Sequence, residues 1–442
     1  MIVQLRRHRI WTIALILMVT FLIISGATVA LINPILTRYV EGPGFRAELE
    51  KETAKGLHFP TSSFGAIRRT GFVSAEADSF EAAQGRKAMT QIDAHRITGR
   101  FNPLGVLLRR WQLDELHIDR GTVGIQKYEP KPEPSPAKPW FHVFLPDRVY
   151  LKRTWSDPAD ITWRLQHKKG GIFGTRLLIT PHGRDFIYQA NGGTMQNAFS
   201  PDLPLRETRM LITHTQFQLY RLDLSSGQGA IHAEGNAEMR GDKRIDFRFD
   251  WKQLPVRDWI PKNWEGKYNG VALGNLHWTG KDFKPDTTQL EGRLRVNDGR
   301  VNGVPFLHEV AAVTNLPDLE DLQLSECAAE VGWNEGRGEL RNIAIEDRGK
   351  FRIEGTIRFD HDSLGGMLLL GIDRRHLAWL RDPEEIFPRV KGGYLWTTVH
   401  LSGTWQNPQQ DLSPRLLAAL KERPGALLGV MFRAVGTWLK GK

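Results

Sequence analysis

The chain has 442 residues, a net charge of +10 and a single cysteine, Cys327. That length exceeds one ordinary compact core and calls for two or more units or one elongated one; the lone cysteine excludes an intramolecular disulfide, so stability must come from packing and hydrogen bonds. The basic residues are spread along the chain without a basic helix or a nucleic-acid-binding motif, which points to a solvated surface with a modest basic bias and no nucleic-acid partner.

The first element is the most informative. Ile10 to Ile32 carries no charged residue and follows Arg6, Arg7, His8 and Arg9. At 1.5 Å per residue a helix needs about 20 apolar residues to cross a hydrocarbon core about 30 Å thick, so 10–32 is expected to be a transmembrane helix. The basic head, 1–9, is expected to stay cytoplasmic and the remainder to be exported. The rival reading is a cleaved signal peptide, with small residues at Ser25–Gly26–Ala27 and Ala30. Its apolar core would be only ~7–15 residues, and the longer run here favours an anchor.

Glu41 to Leu57 reads as a short amphipathic helix leaving the membrane, with Gly56 as its stop. A helical turn is expected around Pro103–Arg110. Leu116 to Arg120 and Thr122 to Gln126 read as two short strands about a turn at Gly121. The sequence EPKPEPSPAKP at 129–139 reads as a proline-rich linker or exposed loop, because proline fixes φ and cannot donate to a sheet ladder. It is the clearest boundary in the sequence.

Beyond it, apolar residues alternate with polar ones. Ile231, Ala233, Gly235, Ala237 and Met239 alternate with His232, Glu234, Asn236 and Glu238; Ile245, Phe247, Phe249 and Trp251 alternate with Asp246, Arg248 and Asp250. Leu290, Gly292, Leu294 and Val296 follow the same rule, as do Phe351, Ile353, Gly355, Ile357 and Phe359 against Arg352, Glu354, Thr356 and Arg358. A period of two puts each set on one face of a strand. Gly241–Asp242 and Asn297–Asp298–Gly299 supply turn chemistry, and the scarcity of helix-length connections implies a largely antiparallel sheet. Near the end, Ser413–Pro414 reads as a helix start with a stripe at Leu416, Leu417 and Leu420, and Ala426 to Leu439 as a second apolar helical segment.

No phosphate-binding loop, nucleophile elbow or zinc signature occurs. The fourteen histidines are scattered; His361, between Asp360 and Asp362, sits in an expected turn, and Cys327 reads as a small buried hydrophobe. With no positioned nucleophile, base or metal group, the sequence reads as a non-enzyme without cofactor or metal. Alternation leaves open whether the apolar face is closed by a second sheet, as in a sandwich, or lines an open groove.

The apolar run, the helix Phe45–Arg46–Ala47–Glu48–Leu49–Glu50, the segment Leu113–Asp114–Glu115–Leu116–His117–Ile118–Asp119 with Gly121–Thr122–Val123, and the late strand Thr398–Val399–His400–Leu401–Ser402–Gly403–Thr404–Trp405 leading into Gln406–Asn407–Pro408 together resemble the AsmA family. The likeness covers the two ends of the chain. It implies a mainly β protein: one amino-terminal transmembrane helix, then an elongated, bent, mostly antiparallel β-sheet groove with short carboxy-terminal helices. The expected organisation is an AsmA-like α/β module over 33–128, the linker, a β-groove over 140–408 and helices over 409–442. The implied role is a single-pass inner-membrane protein whose periplasmic groove binds phospholipid acyl chains and supports lipid transport to, or maintenance of, the outer membrane, with a periplasmic or outer-membrane protein as a further partner. The expected lipid-facing residues are Ile231, Ala233, Met239, Ile245, Phe247, Phe249, Leu290, Leu294, Val296, Phe351, Ile353, Ile357, Phe359, Val399 and Leu401. The alternative is an assembly factor for outer-membrane proteins that uses an exposed strand edge.

Overall fold

The structure is a computed structural model, and it describes residues 33–421 apart from 127–147, 303–320 and short interruptions of one to three residues. The basic head, the apolar run 10–32, the proline-rich segment 129–139 and the segment Ala426 to Leu439 lie outside the described residues. The protein is mainly β, with a few short helices. No helix among the described residues is long and apolar enough to cross a membrane. The chain divides into two compact units, 1–198 and 199–442.

Unit one opens with helical residues 33–40 and the helix α1, Pro43–Leu57. The helix stops one residue later than Gly56 suggests: His58 takes the left-handed conformation, φ 62°, while the Phe59 amide donates to the Ala54 carbonyl at 2.8 Å. This is the six-to-one bond of a Schellman cap, closed by a buried phenylalanine. Glu50 ties α1 to β1 (Ser62–Phe64): its carboxylate accepts from the Phe64 amide at 2.8 Å and its carbonyl from Ser62 Oγ at 2.7 Å. Phe59, Phe80, Ala82 and Ala94 form the buried core beneath it.

β2 (Ile67–Arg69) and β3 (Ser74–Ala82) make a hairpin, and β3 pairs with β4 (Met89–Asn102). After the one-turn helix α2 (Leu104–Leu107), β5 runs unbroken from Arg110 to Ile125, so the expected turn at Gly121 is absent. Gly121 sits mid-strand between Ala94 and Ala159; a Cβ there would lie 3.1 Å from Ser156 Oγ. Glycine serves here for close packing, which sequence alone reads as a break. β5 pairs in parallel with β6 (Arg148–Leu151) and β7 (Thr154–Leu165), so the sheet is mixed and the 129–139 segment connects two strands of one unit. β8 (Lys168–His182) then pairs antiparallel with β7, β9 (Asp185–Asn191) and β10 (Thr194–Gln196).

Unit two is an antiparallel meander. Its strands are β11 (Leu203–Ile212), β12 (Gln216–Ser226), β13 (Gly229–Glu238), β14 (Arg244–Pro255), β15 (Tyr268–Lys281), β16 (Gln289–Asn302), β17 (Asp321–Leu324), β18 (Glu326–Asn334), β19 (Arg337–Asp347), β20 (Phe351–Phe359), β21 (Leu364–Asp373), β22 (Arg389–Lys391), β23 (Tyr394–Gly403) and β24 (Pro408–Gln410). Gly241 makes a turn as expected, with φ 71°. Asn297–Asp298–Gly299 does not: it lies inside β16, where Asp298 at φ 51° opens a register shift against β15. A left-handed residue serves a bulge as well as a turn.

The helix α3 (Pro383–Ile386) and the short 3-10 helix Arg374–Leu377 close one end of this unit over a core of Leu377, Leu380, Phe387 and Leu395. α4 (Leu412–Lys421) begins one residue before Ser413, and its cap is Gln410, whose side-chain oxygen accepts from the Leu412 and Ser413 amides at 2.7 and 2.9 Å. Leu416 joins the same core, and Arg415 Nη2 donates to the Thr398 carbonyl at 2.5 Å, fixing α4 against β23.

Candidate functional site

Register turns the alternating strands of unit two into a single surface. Ala233 faces Phe249, Phe249 faces Leu276, Leu276 faces Gly292 and Gly292 faces Val331. The row continues through Leu340, Ile357, Gly366 and Leu401. No polar side chain interrupts it from β13 to β23. At about 4.8 Å per strand, the row is on the order of 40 Å long. A second row runs beside it: Gly235, Phe247, Trp278, Leu290, Trp333, Gly338, Phe359 and Leu364. Aromatic rings here lie over opposite glycines. A Cβ on Gly338 would lie only 2.1 Å from the Phe359 ring, and Trp333 and Phe359 pack at 6.1 Å.

Of the expected residues, all but one lie on strands and on this face. Met239 lies one residue past β13 and is 41% exposed. The others separate into a closed part and an open part. Ala233, Ile245 and Phe247 are buried with Leu219 and Ala237, and Phe249 and Ile231 border them. Val399 is buried near the closed end. Leu290, Val296, Phe351, Ile353, Ile357, Phe359 and Leu401 are only half-buried, and Leu294 is 37% exposed. Among the described residues the substantial strand contacts of this unit run between ladder neighbours or next neighbours. The aromatic row ends in a cleft of ≈ 910 Å³ bounded by Leu290, Trp333, Phe359 and Leu364, with Arg337 and Arg358 at its rim.

The alternation missed several contributors. Leu276, Trp278, Val331, Trp333, Leu340 and Leu368 are placed on the face by register. The signal was present in Gly274–Leu276–Trp278, which alternates with Asn275 and His277.

The opposite face is a lattice of charge. Arg352 reaches Glu354 at 2.6 Å, Glu326 at 2.7 Å and Glu346 at 3.1 Å. The Glu354 hydrogen bond, then that of Glu326, outweighs burial and raises the affinity of the guanidinium for its proton. Arg358 reaches Glu339 at 2.8 Å. His277 meets Asp246 at 2.9 Å, and His232 meets Asp223 at 2.7 Å.

Burial pushes the Asp223 carboxyl up, but hydrogen bonds from His232 and from Arg221 at 2.6 Å outweigh it and hold it below the usual range. A carboxyl depressed on folding adds stability above its unfolded value near 4 and loses it as pH falls through the folded value. Melting of the wild type is therefore expected to drop between pH 5 and 2 more steeply than that of Asp223→Asn, by scanning calorimetry. Equal slopes would remove Asp223 from the acid response.

Comparison with family models, curated proteins and solved structures found no match.

Chemistry-bearing groups are otherwise dispersed. Among the described residues no cluster of three or more His, Cys, Asp or Glu could hold a metal. Asp360 accepts from the Asp362 and Ser363 amides and from Ser363 Oγ, which makes it the cap of its turn, beside an exposed His361. Cys327 is half-buried, and burial pushes its thiol up, away from the reactive thiolate. What this arrangement offers is a long apolar surface, half-open and backed by a charged one.

Proposed function

We propose that this chain is an AsmA-like envelope protein, anchored in the inner membrane through 10–32, whose unit-two sheet forms a groove for phospholipid acyl chains and so supports lipid transport to, or maintenance of, the outer membrane. The observation that carries the reading is the unbroken apolar row from Ala233 to Leu401, half-exposed over its β16–β21 stretch. Such a surface costs free energy in water at roughly 25 cal/mol per Å², and an acyl chain exposed to water costs ~0.8 kcal/mol per CH₂. Each covers the other. A row on the order of 40 Å exceeds the depth of one leaflet, half of the ~30 Å hydrocarbon core, so a whole acyl chain can be accommodated. The ion-paired back face keeps the sheet soluble.

The assembly-factor reading needs a free strand edge. β23 is flanked on its outer side by β22 and β24, each three residues long, and β22 carries Arg389 and Lys391 around Val390. Short, charged edge strands oppose strand addition.

The test places a photo-crosslinking residue at Leu294 or Ile353 and, for comparison, at Glu234 or Arg248 on the charged face, in cells. Phospholipid should be captured at the first pair and not at the second. Capture of protein at the first pair, or equal lipid capture at both, would overturn the lipid-groove reading.

A further inference from the structure

In unit one the turn between β2 and β3 lies beside the helical stretch 33–40. Three large apolar side chains are exposed here, Phe72 on the turn at 56% and Ile35 and Tyr39 on the helical stretch at 68% and 63%. Arg69, the last residue of β2, holds this region together. Its Nη1 donates to the Asn33 carbonyl at 2.9 Å, to Asn33 Oδ1 at 2.5 Å and to Thr37 Oγ1 at 3.0 Å, while Nη2 donates to the Phe72 carbonyl at 3.2 Å. The Arg69 amide donates to the Glu41 carboxylate at 3.0 Å. The guanidinium also lies 5.6 Å from the centre of the Phe72 ring. One arginine thus pins the hairpin tip to the stretch that leaves the apolar run.

The position of that pin decides what the exposed side chains meet. Asn33 is the residue after Ile32, and consecutive Cα atoms lie 3.8 Å apart whatever the conformation. A phenylalanine tied to Asn33 through Arg69 is therefore held within roughly a nanometre of the end of the apolar run. If that run spans a bilayer, this level is the headgroup–acyl boundary, where aromatic rings sit and arginines extend toward phosphate. The exposed Arg38 brings a positive charge to this level, while Arg68 is paired with Asp78 and Arg69 with Asn33, Thr37 and Phe72.

We infer that the Phe72 turn inserts into the membrane interface beside the anchor and that Arg69 sets its depth, so that unit one is seated on the bilayer at two points. This rests on the anchor reading of 10–32, and the test separates the two.

The single native cysteine makes site-specific labelling clean. In a Cys327→Ser background, the full chain would carry an environment-sensitive fluorophore at Thr20→Cys, Phe72→Cys or Ala83→Cys. Ala83 lies just past the far end of β3, roughly 30 Å from Phe72 along the strand. Each protein would be reconstituted in vesicles of phosphatidylethanolamine and phosphatidylglycerol, with and without nitroxide on the acyl chains. Loss of emission to the nitroxide lipid is expected at 20 and at 72 and not at 83. Adding Arg69→Gln should restore emission at 72 and leave the loss at 20 unchanged. No loss at 20 removes the anchor. Loss at 20 without loss at 72, equal loss at 72 and 83, or shielding of 72 from a water-soluble quencher without any response to nitroxide lipid, as a protein cover would give, overturns the seat. Persistence of the loss at 72 in Arg69→Gln overturns the role of Arg69.

Discussion

Ile353→Asp is expected to give a folded protein that no longer takes up acyl chains, whereas Phe247→Asp is expected not to fold. Both positions lie on the same face, and sequence alternation treats them alike. Phe247 is 8% exposed, packed at 5.9 Å from Trp278 and 6.3 Å from Phe217. Emptying such a site costs about 3–5 kcal/mol before any charge is added, and an unpaired buried carboxylate adds several more. That sum falls within the 5–15 kcal/mol that holds a typical domain together, enough to unfold one of ordinary stability. Ile353 is half-buried on an open stretch between Ile345 and Leu370. An aspartate there can stay hydrated, so the expected loss is about 1–2 kcal/mol, within the ordinary range for a point change. Its effect falls on the ligand, because a charge in the middle of the apolar path must be desolvated by every acyl chain that passes. Circular dichroism and phospholipid co-purification on the two variants decide the matter. Unfolding of Ile353→Asp would show that the β20 stretch is a closed core; unimpaired lipid binding by a folded Ile353→Asp would remove this stretch from the path.

Arg352→Leu is the second large effect, and it falls on the opposite face. The guanidinium is one-quarter exposed and neutralises Glu326, Glu346 and Glu354. Glu346 is the most enclosed of the three and also accepts from the Tyr394 hydroxyl at 2.9 Å, which in turn accepts from the Gly349 amide at 3.0 Å. Removing one partner of a fully buried pair costs about 3–5 kcal/mol. Discounted for partial exposure, the expected loss is about 2–3 kcal/mol, read as a fall in the denaturant midpoint. Adding Glu346→Gln should return about 1 kcal/mol of it, because the repulsion left behind is what destabilises. A midpoint within about 0.5 kcal/mol of wild type would show the lattice to be a solvated surface of the usual weak kind.

The two pairs of substitutions mark what each level of description contributes. Strand identity was open to reading in the sequence, because a period of two is imposed by the pleat and survives wherever one face is wet: Ile245, Phe247 and Phe249 against Asp246, Arg248 and Asp250 can be nothing else. The signal fades where both faces are apolar. Leu364 to Ile372 reads Leu-Gly-Gly-Met-Leu-Leu-Leu-Gly-Ile, and only pairing with β20 and β23 shows that Leu368 and Leu370 share the face with Ile353 and Val399. Turn chemistry misled for a related reason. Gly121 and Asp298–Gly299 have the composition of turns, but within long strands the same backbone freedom serves close packing and a bulge.

By itself, then, the sequence determined the uncharged run at 10–32, the β class, the alternating faces of the principal strands and the want of a disulfide, all consequences of local composition and period. Tertiary structure alone decided which strands lie side by side and therefore that the faces join into one row. It decided that Phe247 is enclosed while Ile353 stands half-open, and that Arg69 reaches across to Asn33. Each of these depends on register and on contacts distant in the chain, and a one-residue slip in register would reverse every face without changing any local pattern.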